Sequence, residues 1–127
     1  MDYHSGMIDT RGLYETKYGY FECRMKLQKE IGLWSAFWLN SPTMGQFIGD
    51  VANGGTEIDV IEYLRSGTNK TTSYHTLPWD GYGKEHKRHG ERVHLVSLED
   101  GRFHTFGVGE VGRAFASGVC RFFSWRR

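Results

Sequence analysis

The chain has 127 residues, of which 39% are hydrophobic and 15% aromatic, and this is enough for one packed domain and excludes a disordered chain. The formal net charge is +1, with 16 basic and 15 acidic residues, so charge gives no indication of binding to nucleic acid or to an anionic membrane. No segment approaches the ~20 consecutive apolar residues of a membrane span. The N-terminus lacks the charged and apolar regions of a signal peptide, so the sequence taken literally predicts a product that stays inside the cell.

Seventeen glycines against two prolines, together with many aromatic residues, predict short strands joined by glycine turns. In chain order the predicted strands are 5–10, 18–27, 33–40, 57–62, 71–77, 92–98 and 103–108, and no helix or internal repeat is evident. Residues 41–55 and the polar stretch 80–92 are predicted to be loops. The two cysteines, Cys23 and Cys120, form no disulfide framework or zinc-finger spacing and are treated as free. The fold class is therefore all-β.

The strand at 57–62 carries three carboxylates, Glu57, Asp59 and Glu62. Alternation puts Glu57 and Asp59 on one face, but Glu62 is out of phase and would enter the core unless a β-bulge at Val60-Ile61 returned it to that face. With ~3.3 Å per residue and one residue absorbed, the outer two carboxyls can lean to roughly 5 Å apart, the separation typical of a retaining glycosidase. A solvated strand face is the alternative interpretation, because acidic and apolar residues alternate on many half-exposed strands.

Four segments, SGMIDT, YGYFECRMKL, GLWSAFWL and EIDVIEY, occur in this order. Together they resemble the catalytic domain of glycoside hydrolase family 16, the laminarinase-like and agarase-like endo-β-glycanases, over residues 1–108. The resemblance implies a concanavalin A-like jelly-roll β-sandwich with its cleft on the concave sheet. It also implies a retaining endo-glycoside hydrolase that acts on a β-linked polysaccharide, β-1,3-glucan or a related polymer.

The resemblance gives each carboxylate a role. Glu57 is the nucleophile that forms a covalent glycosyl-enzyme intermediate, and Glu62 is the general acid and base, whose pKa should lie above that of Glu57. Asp59, between them, can hydrogen-bond Glu57 and share its titration. No cofactor and no metal is required. The nearby Glu85-His86-Lys87-Arg88-His89 run, with His94, is more typical of a solvated turn than of a metal site.

Three further residues are predicted to bind substrate. Trp34 and Trp38 share one strand face and match aromatic positions of the family, so they are expected to stack on sugar rings, with core packing as the alternative. His75 could bond a substrate hydroxyl or Glu62, or be structural. Arg24 is an ion-pair partner or a sugar ligand. Pro78 stands where many family members have a histidine before an aromatic residue, and it cannot supply that side chain.

Residues 109–127 depart from the family pattern, with four arginines, one glutamate and no alternation. Our hypothesis is that a frameshift or a wrongly assigned reading frame produced this tail, which resequencing of the locus would test. The N-terminus also begins later than family domains do. We therefore expect a jelly roll that is incomplete at both ends, with unpaired strand edges that favour aggregation.

Two other function classes compete with the hydrolase. One is a non-catalytic carbohydrate-binding sandwich, against which the three intact carboxylates argue, and the other is an inactive truncated product. The only expected partner is the polysaccharide, with no nucleic acid and no membrane, and the folded chain is expected to be a monomer. The family resemblance implies a secreted or periplasmic protein, although this sequence shows no signal peptide.

Overall fold

The computed structural model describes residues 5–50, 52–95 and 98–109, together with the backbone of residues 119–125. These residues form eight strands and no helix, so nothing in the described part is a helix able to cross a membrane. The strands are β1 (Ser5–Gly6), β2 (Phe21–Met25), β3 (Trp34–Asn40), β4 (Glu57–Leu64), β5 (Thr72–Trp79), β6 (Lys87–His94), β7 (His104–Val108) and β8 (Val119–Trp125).

The strands form two antiparallel sheets. The larger sheet has the order β1-β8-β3-β4-β5-β6, and the smaller one pairs β2 with β7. The all-β prediction is confirmed. The carboxylate strand β4 lies inside the larger sheet, with β3 and β5 on its two sides, so its backbone is hydrogen-bonded along both edges.

A buried apolar cluster draws on both sheets and therefore lies between them. Its members come mainly from the inward-facing positions of β3 and β4 and from the smaller sheet: Cys23, Leu27, Phe37, Leu39, Ile58, Val60, Ile61, Tyr63, Leu98 and Phe106. The alternation predicted for residues 18–27 is confirmed, because Cys23 and Leu27 are buried while Glu22 and Arg24 are exposed. The opposite face of the larger sheet lies outside this core, and it carries the carboxylates of β4.

The predicted β-bulge is present in β4. Against β3, Phe37 pairs with Ile61 but Trp38 pairs with Asp59, so one residue of β4 has no partner. Against β5, three steps from Asp59 to Glu62 match only two steps on the partner strand. The extra residue therefore lies at Val60-Ile61, which puts Glu62 in phase with Asp59 and sends Ile61 to the core.

Some strand boundaries differ from the prediction. The loop expected over residues 80–92 contains most of β6, which pairs with β5 over eight residues. Its side chains are exposed on both faces, with Val93 only partly buried, because β6 is at the edge of the described sheet, so charged residues replace the apolar alternation that marks a half-buried strand. Among the described residues of the predicted strand 92–98, only the first are in a strand, at the end of β6. Of the strand predicted over 5–10, only the two residues of β1 are in a strand.

The tail contains a strand that is not among those predicted. Residues 109–127 show no alternation, yet the backbone of β8 pairs with β3 and with β1. Backbone pairing needs no particular side-chain pattern, so a strand can form there without one. Residues 110–118, 126 and 127 lie outside the described residues, and the reading-frame hypothesis stays a prediction.

Candidate active site

The register of three neighbouring strands brings the site together. Asn40 pairs with Glu57, Trp38 with Asp59 and Ala36 with Glu62, so β3 and β4 present one continuous face. Because paired residues in antiparallel strands point to the same side, the bulge is what allows all three carboxylates to share that face.

A cavity of about 380 Å³ opens on this face. It is lined by Trp34, Ala36, Trp38, Glu57, Asp59, Glu62 and Tyr82. Five of the six site residues predicted from the sequence therefore lie together, and the two tryptophans face the cleft and not the core. A cleft with aromatic walls and convergent polar groups is typical of ligand-binding sites.

Glu57 is held from two directions at one oxygen. The amide of Asn40 donates to Oε2 at 2.8 Å, and the hydroxyl of Tyr82 donates to the same oxygen. Burial raises the pKa of Glu57 to about 7, and the negative charge of Asp59 adds to the rise, whereas the hydrogen bonds from Tyr82 and Asn40 oppose it. The carboxyl therefore titrates close to neutral pH.

Asp59 is the most buried of the three carboxylates, with 6% of the residue exposed. Thr76 on β5 donates a hydrogen bond to its Oδ2, and a further hydrogen bond joins it to Glu57. Burial raises the pKa of Asp59, and these two hydrogen bonds act in the opposite direction. Glu57 and Asp59 are thus joined by a hydrogen bond, the contact that the sequence predicted, and their shared titration stays a prediction.

Glu62 lies at the other end of the row. Burial raises its pKa to about 7, with further contributions from the charges of Asp59 and Glu57, while Arg88 and a hydrogen bond from Trp34 lower it. The sequence predicted a pKa for Glu62 above that of Glu57. Both pKa values are raised to about 7, and the predicted order of the two stays a prediction.

The expectation that His75 lines the cleft is wrong. On β5, Tyr74 and Thr76 pair with the carboxylate positions, so His75 points to the opposite side of the sheet. Its Nδ1 lies 2.7 Å from the carbonyl oxygen of Val60 and its Nε2 lies 3.1 Å from Ser73 Oγ. The histidine therefore supports the backbone of the bulge from behind. The sequence alone could not indicate this orientation of His75. The side of β5 that faces the carboxylates depends on its register with β4, which the bulge alters.

Two residues that contact the cleft carboxylates were not predicted from the sequence. Asn40 continues the alternation of Trp34, Ala36 and Trp38 by one step, so extending that pattern would have found it. Tyr82 follows β5 in a loop, 25 residues from Glu57 along the chain, and no local pattern predicts their contact. Arg24 lies over the ring of Phe103 at 4.7 Å, in the region of the smaller sheet and away from the cleft.

In the described part of the chain, no group of three histidine, cysteine or acidic side chains is arranged to hold an ion. Two histidines of this region, His86 and His94, have other contacts. His86 Nδ1 lies 2.6 Å from the carbonyl oxygen of Gly81, and His94 Nδ1 lies 3.1 Å from Thr72 Oγ1.

A row of partly buried carboxyls beside two tryptophan side chains is typical of the active sites of glycoside hydrolases. The chain belongs to the glycosyl hydrolases family 16, whose model matches residues 1–109. It is 32% identical over 108 residues to the endo-1,3-1,4-beta-glycanase ExsH of Rhizobium meliloti, a match that covers 84% of this chain and 20% of that protein.

Solved structures agree on the fold. The laminarinase catalytic domain of Thermotoga maritima superposes with a TM-score of 0.70 at 22% identity, covering 94% of this chain and 57% of that one. The GH16 protein of the Bacteroides ovatus mixed-linkage glucan PUL, solved in complex with a G4G4G3G product, gives a TM-score of 0.72 at 20% identity. The match covers 94% of this chain and 60% of that one. The predicted jelly-roll fold is confirmed. The chain spans a fifth of the length of ExsH and somewhat more than half of each solved domain.

Proposed function

We propose that this chain encodes the catalytic strands of a retaining endo-glycoside hydrolase that cleaves a β-linked glucan. The single observation that carries the proposal is the bulge of β4, because it puts three carboxyls on one buried cleft face where a regular strand would offer only two. The burial that brings two of these groups to pKa values of about 7 also suits the reaction. It allows one carboxyl to be protonated while its neighbour is ionised near neutral pH.

In the first half of the reaction, an oxygen of Glu57 attacks the anomeric carbon. The glycosidic bond breaks, and the leaving oxygen takes the proton of Glu62. The protonated state of Glu62 is favoured by its burial and by the negative charges of Asp59 and Glu57. The product of this step is an ester between Glu57 and the sugar.

In the second half, Glu62 acts as the base. It accepts a proton from water, the water oxygen bonds to the anomeric carbon, and the ester bond breaks so that its electron pair returns to Glu57. Asp59 remains hydrogen-bonded beside Glu57 and shares its titration, so the pH profile reports the set of three carboxyls and not one residue. Trp34 and Trp38 stack on sugar rings next to the bond that is cleaved.

The substrate part of the proposal is a β-1,3-glucan or a mixed β-1,3-1,4-glucan. It is supported by the relatives, which are an endo-1,3-1,4-beta-glycanase, a laminarinase and a protein bound to a mixed-linkage product. A polysaccharide reaches an enzyme most readily outside the cytoplasm, so we extend the proposal to a secreted or periplasmic protein that acts as a monomer. Fractionation of native cells and light scattering of the purified chain test these two points.

The deciding experiment measures reducing-end release by the purified chain from laminarin, mixed-linkage glucan and agarose. Proton NMR of the first product should show β-configured reducing ends, as expected for retention. Loss of release in both Glu57→Gln and Glu62→Gln supports the proposal. An α-configured first product would contradict retention, binding without release would identify a carbohydrate-binding sandwich, and insoluble protein would identify an inactive truncated product.

A further inference from the structure

We infer that Tyr82 is a positioning residue for the Glu57 carboxylate, which it holds at one oxygen through both halves of the reaction. The inference rests on the proposed role of Glu57 as nucleophile. Tyr82 lies outside the strands, and none of the sequence motifs points to it.

The contacts of Tyr82 form a closed triangle. Its hydroxyl donates to Glu57 Oε2, and the amide of Asn40 donates to that oxygen at 2.8 Å and to the Tyr82 hydroxyl oxygen at 2.6 Å. The Asn40 amide therefore orients the phenol so that its proton is directed at the carboxylate. Because Asn40 and Tyr82 both donate to Oε2, we assign the attack on the anomeric carbon to Oε1, which neither of them contacts.

The loop that carries Tyr82 is fixed at its start. Asp80 has a φ of 59°, which is uncommon for a residue other than glycine. Its carboxylate accepts hydrogen bonds from the Gly49 amide at 2.9 Å and from Lys87 Nζ at 2.7 Å. Gly81 lies so close to Gly45 that a Cβ on Gly45 would come within 2.8 Å of the Gly81 Cα atom. The backbone at residues 80 and 81 is thus fixed by several independent contacts, which indicates that the position of Tyr82 is important for function.

The same loop is fixed on its other side by His86. The ring of His86 stacks with the ring of Tyr82 at 6.3 Å between centroids and 21° between planes, while its Nδ1 bonds the carbonyl oxygen of Gly81 at 2.6 Å. Tyr82 as a whole residue is nevertheless 64% exposed. Burial therefore does not explain why this large aromatic side chain has a fixed position. The loop holds it so that its hydroxyl lies among the side chains of the proposed catalytic row.

A hydrogen bond at this oxygen helps each half of the reaction differently. Before attack it favours the ionised form of Glu57 over the protonated form. When the ester forms, Oε2 becomes a carbonyl oxygen, which is a weaker acceptor. When water displaces the sugar, the ester bond breaks and the negative charge returns to the carboxylate, so Tyr82 and Asn40 stabilise the departing group.

Other charged groups face the same carboxylate and must be considered. Asp59 and Glu62 lie beside it on β4, and Arg88 of β6 acts on Glu62. A second cavity of about 330 Å³ is also lined by Tyr82, and Arg11 and Glu15 are among its other lining residues. β3 and β5 supply no ionisable side chain to the cavity in which Glu57 lies. A test of Tyr82 must therefore leave all of these charges in place.

Tyr82→Phe removes only the hydroxyl, and Tyr20→Phe is its matched control. Tyr20 also donates to a glutamate, Glu22 Oε2 at 2.9 Å, in an exposed position near the smaller sheet. We expect Tyr82→Phe to lower kcat about tenfold to about a hundredfold, the loss that corresponds to one hydrogen bond to a charged group. The acidic limb of its pH profile should move to higher pH, whereas Tyr20→Phe should match the wild type.

The second readout needs no turnover. Carbon-13 NMR titration of the glutamate carboxyls, with Glu57 assigned through Glu57→Gln, should show the Glu57 midpoint about one to two pH units higher in Tyr82→Phe. Tyr82→His, which keeps a ring N–H donor, should titrate closer to the wild type. An unchanged midpoint in Tyr82→Phe, or the same rise in Tyr82→His, would overturn the inference.

The two proposals fail separately. A chain that releases no sugar but shows the shifted midpoint would refute the hydrolase proposal and leave the contact of Tyr82 with Glu57 established. A chain that hydrolyses glucan equally well with phenylalanine at position 82 would remove the role of Tyr82 and leave the hydrolase proposal standing.

Discussion

On the cleft face of β4, Glu57 and Glu62 have pKa values raised to about 7, whereas in the loop before β7 the pKa of Asp100 is held below its usual range. The cleft carboxyls are raised because burial disfavours their charged forms and because they repel one another. Asp100 is lowered because it accepts hydrogen bonds from the Arg102 backbone N–H and from His104. The same kind of group thus titrates near neutral pH at one place and forms ion pairs at the other.

The backbone explains much of this difference. β4 is paired on both edges, so its backbone N–H groups are committed to the sheet and few remain for its carboxylates. A loop has spare donors, and Asp100 uses one of them at 2.9 Å. Carboxyls on a central strand therefore depend on side chains of neighbouring segments, such as Asn40, Thr76 and Tyr82. This makes their titration adjustable by single substitutions.

The largest effect should come from removing the proton of Glu62. Glu62→Gln should lower kcat/KM on polysaccharide by about 10² to 10⁴, the usual contribution of general acid–base catalysis. On an aryl oligosaccharide whose leaving group needs no protonation, the formation of the glycosyl-enzyme should be nearly unaffected. Steady-state and burst kinetics with both substrates make the measurement. Glu91→Gln, on the other side of the sheet, is the control, and an equal loss on both substrates would contradict the acid role.

A second prediction concerns the bulge that creates the row of carboxyls. His75→Phe removes the partner of the Val60 carbonyl, and we expect the free energy of unfolding to fall by about 1 to 3 kcal/mol. The kcat should fall as well, with KM little changed, because Glu62 loses its fixed position. His89→Phe makes the same change at an exposed site on the neighbouring strand β6. If the two variants unfold alike in urea, the histidine does not support the bulge.

The features that could be predicted from the sequence all depend on the alternation of side chains within a single strand. The phase of Glu62 relative to Asp59 required a bulge, and the bulge is present at the predicted step. The alternation of Trp34 and Trp38 likewise predicted their shared face, because side chains in a strand have a period of two whatever lies beside them. Local geometry was sufficient for these residues.

The features that sequence missed depend on which strands meet and in which register. His75 was assigned to the cleft, but the extra residue in β4 decides which side of β5 faces the carboxyls. Most of β6 was predicted to be a loop, since an edge strand exposed on both faces lacks apolar alternation. Tyr82 reaches Glu57 only because Asp80 and Gly81 fix the loop against a distant segment. None of this is encoded in a local pattern.

The smallest effect, and the most direct test of the contrast between cleft and loop carboxyls, is the pH dependence of stability. For Glu57 and Glu62 the folded pKa of about 7 lies above the ordinary value of 4.5, so the folded state holds more protons than the unfolded state between these values. The free energy of unfolding should therefore fall as pH rises through this window. Glu62→Gln should be more stable than the wild type above pH ~7, by roughly 1 to 2 kcal/mol after allowance for partial solvent screening.

Asp100 should show the opposite sign. Its folded pKa lies below the ordinary value of 3.8, so its contribution to stability is present above that value and is lost as pH falls. Asp100→Asn should be less stable than the wild type at neutral pH and should lose less stability on acidification. Urea unfolding at a series of pH values compares both variants with the wild type. If the free energy of unfolding depended on pH in the same way in both variants, the two carboxyls would have pKa values shifted in the same direction. Burial on the cleft face would then not be what sets the carboxyl pKa values.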